Sequence, residues 1–534
     1  MTLPGSNSAN VLKQIVDSRN FQRTFFILWA IFSIFYFSEL ANFSLSIDEE
    51  TAVSGRDGAI WAVQDRWLGY LIERFVLPAP VLPFFPLFMF GGLVSVSYMI
   101  VVRTHRYPVE EGRMWLVFIL FSAFPTLYFI LDFSAVTVGL GLGVLLSCLC
   151  LFLFDRALHE ITAPETGRSR TIGLFALQAL SAAVAIGVYQ SLILLVAAGC
   201  CGLFLLRYLR GPAMPLRQIL LVHAYLACNL VAGMVLGLLI SRGFQWLLAV
   251  QPAYISHFIR IDQLADSPLA VIKSIAKQYW AVYGGKRNVY GFRYITFPAL
   301  LFLGMFAMAA RAPQRGTKSI LFVVLYMIAI TAIPFAINVV AGGKLPYRAL
   351  IAVPYVFWFF AAGAVLSHIP TVRRIAIALV VLVSIQCLYT FSTFQAQKRL
   401  VLDHDKLLAS EIYQRIVGEI PDFDRSKTYR IDVYGGREFG NIYREIRGST
   451  LSASFFEWDH GNPSRIVDFM KILGYSNLVP ADRSMQSALL PIMEDMPIWP
   501  AQGSVRVVDG TILVRLGKEP GVFHRKATAV AEQP

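Results

Sequence analysis

Charge is scarce in this 534-residue sequence. Asp, Glu, Lys and Arg make up 15% of it, where a water-soluble domain carries about a quarter. That excludes an ordinary soluble enzyme and a disordered chain. Cysteine is scarce as well, and Cys148, Cys150, Cys200, Cys201, Cys228 and Cys387 all fall inside apolar runs. A disulfide scaffold is thereby excluded, and buried or lipid-facing thiols are expected. The histidines, His105, His159, His223, His257, His368, His404, His460 and His524, are scattered without close pairing. Beyond Asp48, Glu49 and Glu50 there is no acidic cluster of the kind a metal cage needs. No metal ligand and no cofactor is assigned, a divalent cation being left open. A serine elbow, a phosphate-binding Gly-Lys loop and a dinucleotide fingerprint are all missing, which argues against a soluble nucleotide donor.

What the chain has is hydrophobic length, 56% of its residues being apolar or aromatic. A bilayer span takes about 20 mostly apolar residues, and eleven runs qualify: 24–42, 84–102, 114–131, 134–154, 172–188, 190–207, 218–240, 295–310, 319–341, 348–367 and 375–394. The expected fold is an α-helical polytopic membrane protein. Residues 1–23 are polar, and the first run leads into acidic residues without a small-residue cleavage site, so it reads as an anchor.

The net charge of +13 belongs to this apolar part. Residues 395–534 hold 18 basic and 18 acidic side chains, leaving 29 basic against 16 acidic before them. The basic residues sit in short clusters between runs, a pattern of topology and not of nucleic-acid binding. With the N-terminus in the cytoplasm, Lys13, Arg19 and Arg23; Arg103, Arg106 and Arg113; Arg156, Arg168 and Arg170; Arg207, Arg210 and Arg217; Arg311, Arg315 and Lys318; and Arg373 and Arg374 all fall inside. The turns near Asp132 and Val188 lack Lys and Arg, as the positive-inside rule requires of outer turns. Eleven spans then place the C-terminal tail outside.

Two domains are expected, a membrane domain over 1–394 and a periplasmic α/β domain over 395–534. In the tail, Thr428–Tyr434, Ser504–Val508 and Thr511–Arg515 pattern as strands, and Arg465–Leu473 as a short amphipathic helix. The spacings Gly139 to Gly143 and Gly233 to Gly237 read as close helix packing. No repeat relates the two halves.

Three outer segments are long enough for chemistry: 43–83, 242–294 and the tail. The first opens with Ser46-Ile47-Asp48-Glu49-Glu50. Ser46 and Glu49 have capping-box spacing, which would explain Glu49 without catalysis. Asp48 is the sharper candidate, a carboxylate able to accept a proton from a sugar hydroxyl while Arg66 on the same loop holds a phosphate. Ile60, Val63, Trp67, Leu71 and Phe75 then recur at helical spacing, predicting one amphipathic helix along the membrane surface. In Gly342-Gly343-Lys344-Leu345-Pro346-Tyr347-Arg348, Lys344 and Arg348 can both reach a phosphate, although snorkelling accounts for such residues too. The 242–294 loop adds Arg260, Lys273, Lys277, Lys286, Arg287 and Arg293, and an outer loop this basic wants an anionic partner, either lipid headgroups or a phosphorylated substrate. Tyr189 and Gln190 form a polar pair at an outer turn, suited to a hydroxylated ligand or simply to the interface. Asp132 is a lone acid in another.

Taken together, Ser46-Ile47-Asp48-Glu49-Glu50, Trp61-Ala62-Val63-Gln64-Asp65-Arg66-Trp67, Val188-Tyr189-Gln190, Leu345-Pro346-Tyr347-Arg348 and Ser454-Phe455-Phe456-Glu457-Trp458-Asp459-His460-Gly461-Asn462-Pro463 carry a resemblance. The chain resembles the GT-C superfamily of integral-membrane glycosyltransferases, and more closely the bacterial O-antigen glucosyltransferase (Gtr-type serotype-conversion) family. One difference is that the family tends to Gly-Arg before the Trp, where this chain has Asp65-Arg66. The resemblance implies a polyprenyl-phosphate sugar donor, a periplasmic polysaccharide or lipid-linked O-antigen acceptor, and an inner-membrane location. It implies Asp48 as catalytic base with Glu49 assisting, and Arg66, Lys344 and Arg348 on the donor phosphate. The rival readings are a multi-span transporter or lipid flippase, disfavoured because the runs lack central charges, and a non-catalytic envelope scaffold.

Overall fold

The computed structural model describes residues 19–42, 44–54, 58–78, 84–162, 168–211, 214–253, 258–312, 317–437, 439, 450–522 and 524–525. Lys13, Arg315 and His257 lie outside them, as does the side chain of Arg168. The chain divides into two compact units, Met1–Ala41 with Gly58–Leu77 and Phe84–Phe391, and Asn42–Asp57 with Pro78–Pro83 and Ser392–Pro534.

The first unit is helical. Among the described residues eight helices are long and apolar enough to cross a membrane: Phe85–Thr104, Gly112–Leu131, Ser134–Thr162, Ser169–Ile186, Leu192–Arg210, Leu216–Leu247, Lys318–Asn338 and the apolar part of Pro370–Glu419. The other three apolar runs form shorter helices, Arg19–Phe35 of 17 residues, Thr296–Ala309 of 14 and Val353–Val365 of 13. At 1.5 Å per residue, 13 residues rise about 20 Å, less than the roughly 30 Å of a hydrocarbon core. Every residue of Val353–Val365 is buried. It is apolar on all sides because protein surrounds it.

Close packing explains the small-residue spacings. A Cβ on Gly237 would lie 2.5 Å from Ile186 Cδ1, and one on Gly233 2.9 Å from Ala182 Cβ, so Leu216–Leu247 meets the helix Ser169–Ile186 almost backbone to backbone. Several polar groups inside are paired. His105 Nε2 lies 2.8 Å from Tyr355 Oη, and Trp358 Nε1 donates to Tyr98 Oη at 3.2 Å. Several of the basic residues assigned to inner connections gather at helix ends. Arg210 donates to His105 O at 2.7 Å, Arg207 lies 3.7 Å from Asp155, and Arg170 lies 3.1 Å from Glu160. The six cysteines are all free, four of them buried.

The second unit contains a four-stranded sheet, β1 (Tyr429–Tyr434), β2 (Leu478–Pro480), β3 (Val505–Val508) and β4 (Thr511–Arg515), in the order β2-β1-β4-β3. β1 runs parallel to both β2 and β4, with Ile431 opposite Pro480 and Ile512, and β3 is antiparallel to β4. Asp509 and Gly510, both at positive φ, make the two-residue turn between β3 and β4. Helix Pro463–Ile472 lies between β1 and β2 in the chain, and helix Arg483–Asp495 between β2 and β3. Three strands and the first of these helices lie where the apolar pattern puts them; β2, only three residues long, and Arg483–Asp495 were not foreseen. The core contains Ile431, Val433, Phe455, Phe456, Val467, Phe469 and Val514, and also Leu45 and Ile47 from the segment after the first apolar run. That early segment is thus folded into the tail.

Candidate functional site

In the first unit the loop Gln64-Asp65-Arg66 divides what the sequence presents as one amphipathic helix. Two short helices form instead, Ile60–Val63 and Trp67–Phe75. Asp65 has φ +56°, a left-handed backbone that cannot continue an α-helix. Of the stripe, Trp67 is buried while Ile60 is 40% and Phe75 75% exposed; Trp61, Ala62 and Ile72 are buried beside it. Trp61 Nε1 donates to the buried Glu73 and ties the two helices together.

This loop meets the turn between the helices ending at Ile186 and beginning at Leu192. Leu68 N donates to Gly187 O at 2.9 Å. Gln190 Nε2 donates to both Gln64 O (3.0 Å) and Asp65 O (3.1 Å). The Arg66 guanidinium lies over the Tyr189 ring at 4.6 Å and the Trp61 ring at 5.9 Å, contacts that suit its flat face. Arg66, Tyr189 and Gln190, chosen separately from the sequence, are therefore brought together.

Asp65 is the centre of this arrangement, and sequence reasoning did not assign it. Its Oδ1 accepts from Ser241 Oγ at 2.7 Å and Gln245 Nε2 at 2.8 Å, and lies 3.9 Å from Arg242 Nη1. A positive φ is one that glycine adopts freely, and aspartate is among the residues that tolerate it. A cavity of about 450 Å³ opens beside it, lined by Ile186, Ile193, Met234, Leu238, Ile259 and Ile337, with Asp65, Gln190, Ser241 and Arg242 at its polar edge. Its size and its mostly apolar lining are those of a small-molecule site.

Lys344 and Arg348 sit on another turn of the same unit. Gly342 and Gly343 have φ of +60° and +78°. Gly343 N donates to Asn338 O, and Ser274 Oγ donates to Gly343 O, both at 2.8 Å. Arg260 N donates to Val340 O at 2.9 Å, which joins this turn to the strand of chain carrying Ile259. Lys344 is exposed, and the Arg348 guanidinium lies over the Phe133 ring at 5.6 Å. Asp132 is buried.

Asp48 and Glu49 belong to the second unit. Glu49 Oε2 accepts from Ser46 N at 2.8 Å and Glu49 N donates to Ser46 O at 3.1 Å, so its carboxylate serves the capping arrangement. Asp48 has φ +79° and a half-exposed side chain. Its ion-pair partner is Arg465, in the first turn of helix Pro463–Ile472: Nη2 donates to Asp48 Oδ1 at 3.0 Å and to Asp459 Oδ2 at 3.3 Å, while Nη1 donates to the buried Glu50. Burial pushes the Glu50 carboxyl up to about 8, further than Arg465 pulls it back. Although burial opposes its charge, Arg465 is held above its usual value by Glu50 and Asp48.

The aromatic motif of the tail positions this arginine. Asp405, buried on helix Pro370–Glu419, accepts from Ser454 Oγ and Phe455 N, each at 2.7 Å. Burial raises the Asp405 carboxyl, and His404, Ser454 and the Phe455 N–H lower it. Phe455 stacks on Phe469 at 4.2 Å. A Cβ at Gly461 would stand 2.1 Å from Gly435 O, so only glycine permits this approach. Asn462 Oδ1 then accepts from Ser464 N and Arg465 N and caps the helix. Two signals pointed toward Arg465: three consecutive acidic-motif residues in want of a cation, and a conspicuous motif ending two residues before it. Among the described residues no group of His, Cys, Asp and Glu could hold a metal ion.

Residues 37–365 match the family model of the glucosyl transferase GtrII. The chain belongs to this family. No curated protein and no solved structure matches it. Membership makes the protein a glucosyltransferase, a reading its apolar helices fit, and it lends nothing to a transporter. The matched stretch contains Asp48, Glu49, Arg66, Tyr189, Gln190, Lys344 and Arg348, and stops short of the Ser454–Pro463 motif and Arg465.

Proposed function

We propose that the protein moves glucose from a polyprenyl-phosphate carrier to a polysaccharide or lipid-linked glycan on the periplasmic side of the bacterial inner membrane. In this reading the chain is multi-pass with a cytoplasmic N-terminus, the membrane domain lies within residues 1–394, and the tail from 395, with the 44–54 segment folded into it, is periplasmic. The acceptor hydroxyl gives its proton to Asp48, its oxygen bonds to the anomeric carbon, and the carbon–oxygen bond to phosphate breaks with its electron pair leaving on the phosphate. Arg66, Lys344 and Arg348 neutralise that charge. Tyr189 and Gln190 hold the Asp65–Arg66 loop in place. Membrane lipids surround the helices, and no nucleic acid is involved.

The observation that carries this reading is the apolar cavity with its polar edge at Asp65, Gln190, Ser241 and Arg242. Such a surface suits a hydrocarbon chain that ends in a charged, hydroxylated head. The test is transfer by the purified protein in detergent, offered radiolabelled polyprenyl-phosphate glucose and cell-envelope acceptors, beside Asp48→Asn. Transfer by the wild type and none by the variant is the expected result. Folded wild-type protein that uses no lipid-linked sugar would overturn the donor assignment, and an active Asp48→Asn would overturn the base.

A further inference from the structure

We infer that Arg465 is the positioning residue for Asp48, a role that rests on the reading of Asp48 as base. The two residues are 417 positions apart in the chain, and each is fixed by its own surroundings. On one side Ile47 is fully buried in the core and Glu49 caps the turn, so the backbone on both flanks of Asp48 is pinned. On the other, Arg465 is only 11% exposed, and the Asn462 cap sets the direction of its helix. What remains free is the Asp48 side chain.

A half-exposed aspartate rotates about χ1 and χ2 unless something holds it, and a base must present one oxygen along one direction to be effective. Arg465 supplies that hold through one of two carboxylate oxygens. Its Nη2 engages Asp48 Oδ1, and among the described residues Oδ2 has no hydrogen-bond partner. One oxygen is therefore held by the arginine, and the other is left to take a proton. The planar guanidinium suits the task because Nη1 is anchored on buried Glu50 while Nη2 reaches Asp48 and Asp459. A lysine ammonium is a point charge and cannot keep that fork. The acidic groups facing Arg465 are thus Asp48 and Glu50 from the early segment and Asp459 from the tail motif.

The experiment uses the full chain and the glucosyl-transfer assay above, with Asp48→Asn, Arg465→Gln, Arg465→Lys and the double variant Asp48→Asn/Arg465→Gln. Each is first checked for folding by thermal melting. Arg465→Gln is expected to lower kcat about 100-fold with donor KM changed less than about threefold, the size of effect that misplacing a catalytic group produces. Arg465→Lys should recover part of the loss. The double variant should be no slower than Asp48→Asn alone, because a positioning residue has nothing left to position. If Arg465→Gln does not fold, Arg465→Lys decides: a roughly tenfold lower kcat at unchanged donor KM supports the inference, and wild-type kcat overturns it. Additive losses in the double variant, or a loss confined to KM, also overturn it. An active Asp48→Asn is a different failure: it removes the base itself, and the inference falls with it.

Discussion

The two units of this protein are held together in different ways. In the first, long apolar helices pack through small residues and aromatic rings, and the polar loop at Asp65 and Arg66 is gripped by neighbours it meets across helix ends. In the second, a modest core is joined by charge pairs between segments more than four hundred residues apart. The first unit resembles a scaffold whose chemistry is confined to a few polar residues beside a cavity. The second resembles a clasp, where removing one charge leaves others buried and unpaired. The difference predicts that substitutions in the second unit act abruptly, through loss of a contact, and that those in the first act gradually, through weaker binding.

The largest effect is expected at the exposed end of the clasp. Asp48→Asn should cost about 10²- to 10⁴-fold in kcat, the usual span for a general base, with little change in melting temperature because the side chain is 51% exposed. Next comes Asp405→Ala, which leaves Ser454 Oγ and Phe455 N without their acceptor. A loss of about 3 kcal/mol is expected, two hydrogen bonds to a buried carboxylate being removed at once. Limited proteolysis should show new cleavage in the tail. Cleavage spread equally over the membrane helices would break the comparison, because it would mean that the two units melt as one.

Much of the first unit was legible, because its organisation is local. Eight of eleven apolar runs became helices of spanning length, and the glycine spacings became helix contacts. The amphipathic stretch from Ile60 to Phe75 misled because helical periodicity passes unbroken through Asp65, while the backbone there turns left-handed and the grip on its carboxylate comes from Ser241 and Gln245, some 180 residues later. The convergence of Arg66 with Tyr189 was equally invisible, since neither residue's neighbours in sequence announce the other. For the second unit, strand alternation located three strands, yet no local pattern pairs residues 44–54 with a helix beginning at Pro463. Asp48 stands out for its residue type and place; the acidic run and the tail motif hint at Arg465, but the pairing itself emerges only when the chain is folded.

Glu50 tests whether the clasp is a charge device. Burial raises its carboxyl from 4.5 to about 8, so the folded state holds a proton that the unfolded state releases. The contribution to stability is complete below about pH 4.5 and is lost as pH rises through 8. Melting of the second unit should therefore fall over that window, and Glu50→Gln, which stays neutral, should flatten the decline. A Glu50→Gln variant with the same pH slope as the wild type would show that the slope arises elsewhere.

The smallest predicted effect belongs to the first unit and sharpens the contrast. Lys344 is exposed, on a turn shaped by Gly342 and Gly343, and Arg348 lies against Phe133. A solvated ammonium attracts an anionic donor through a medium that screens it, over a Debye length of about 8 Å at physiological salt. Its loss is worth about 1 kcal/mol, or roughly fivefold in binding. Lys344→Ala should therefore raise donor KM about fivefold with kcat nearly unchanged, and the gap from wild type should close as salt is added. Arg348→Ala, which also loses its ring contact, should retain more of its defect at high salt. If Lys344→Ala instead lowers kcat by a salt-independent factor, the lysine acts through contact like Arg465, and the division between a gradual membrane unit and an abrupt clasp does not hold.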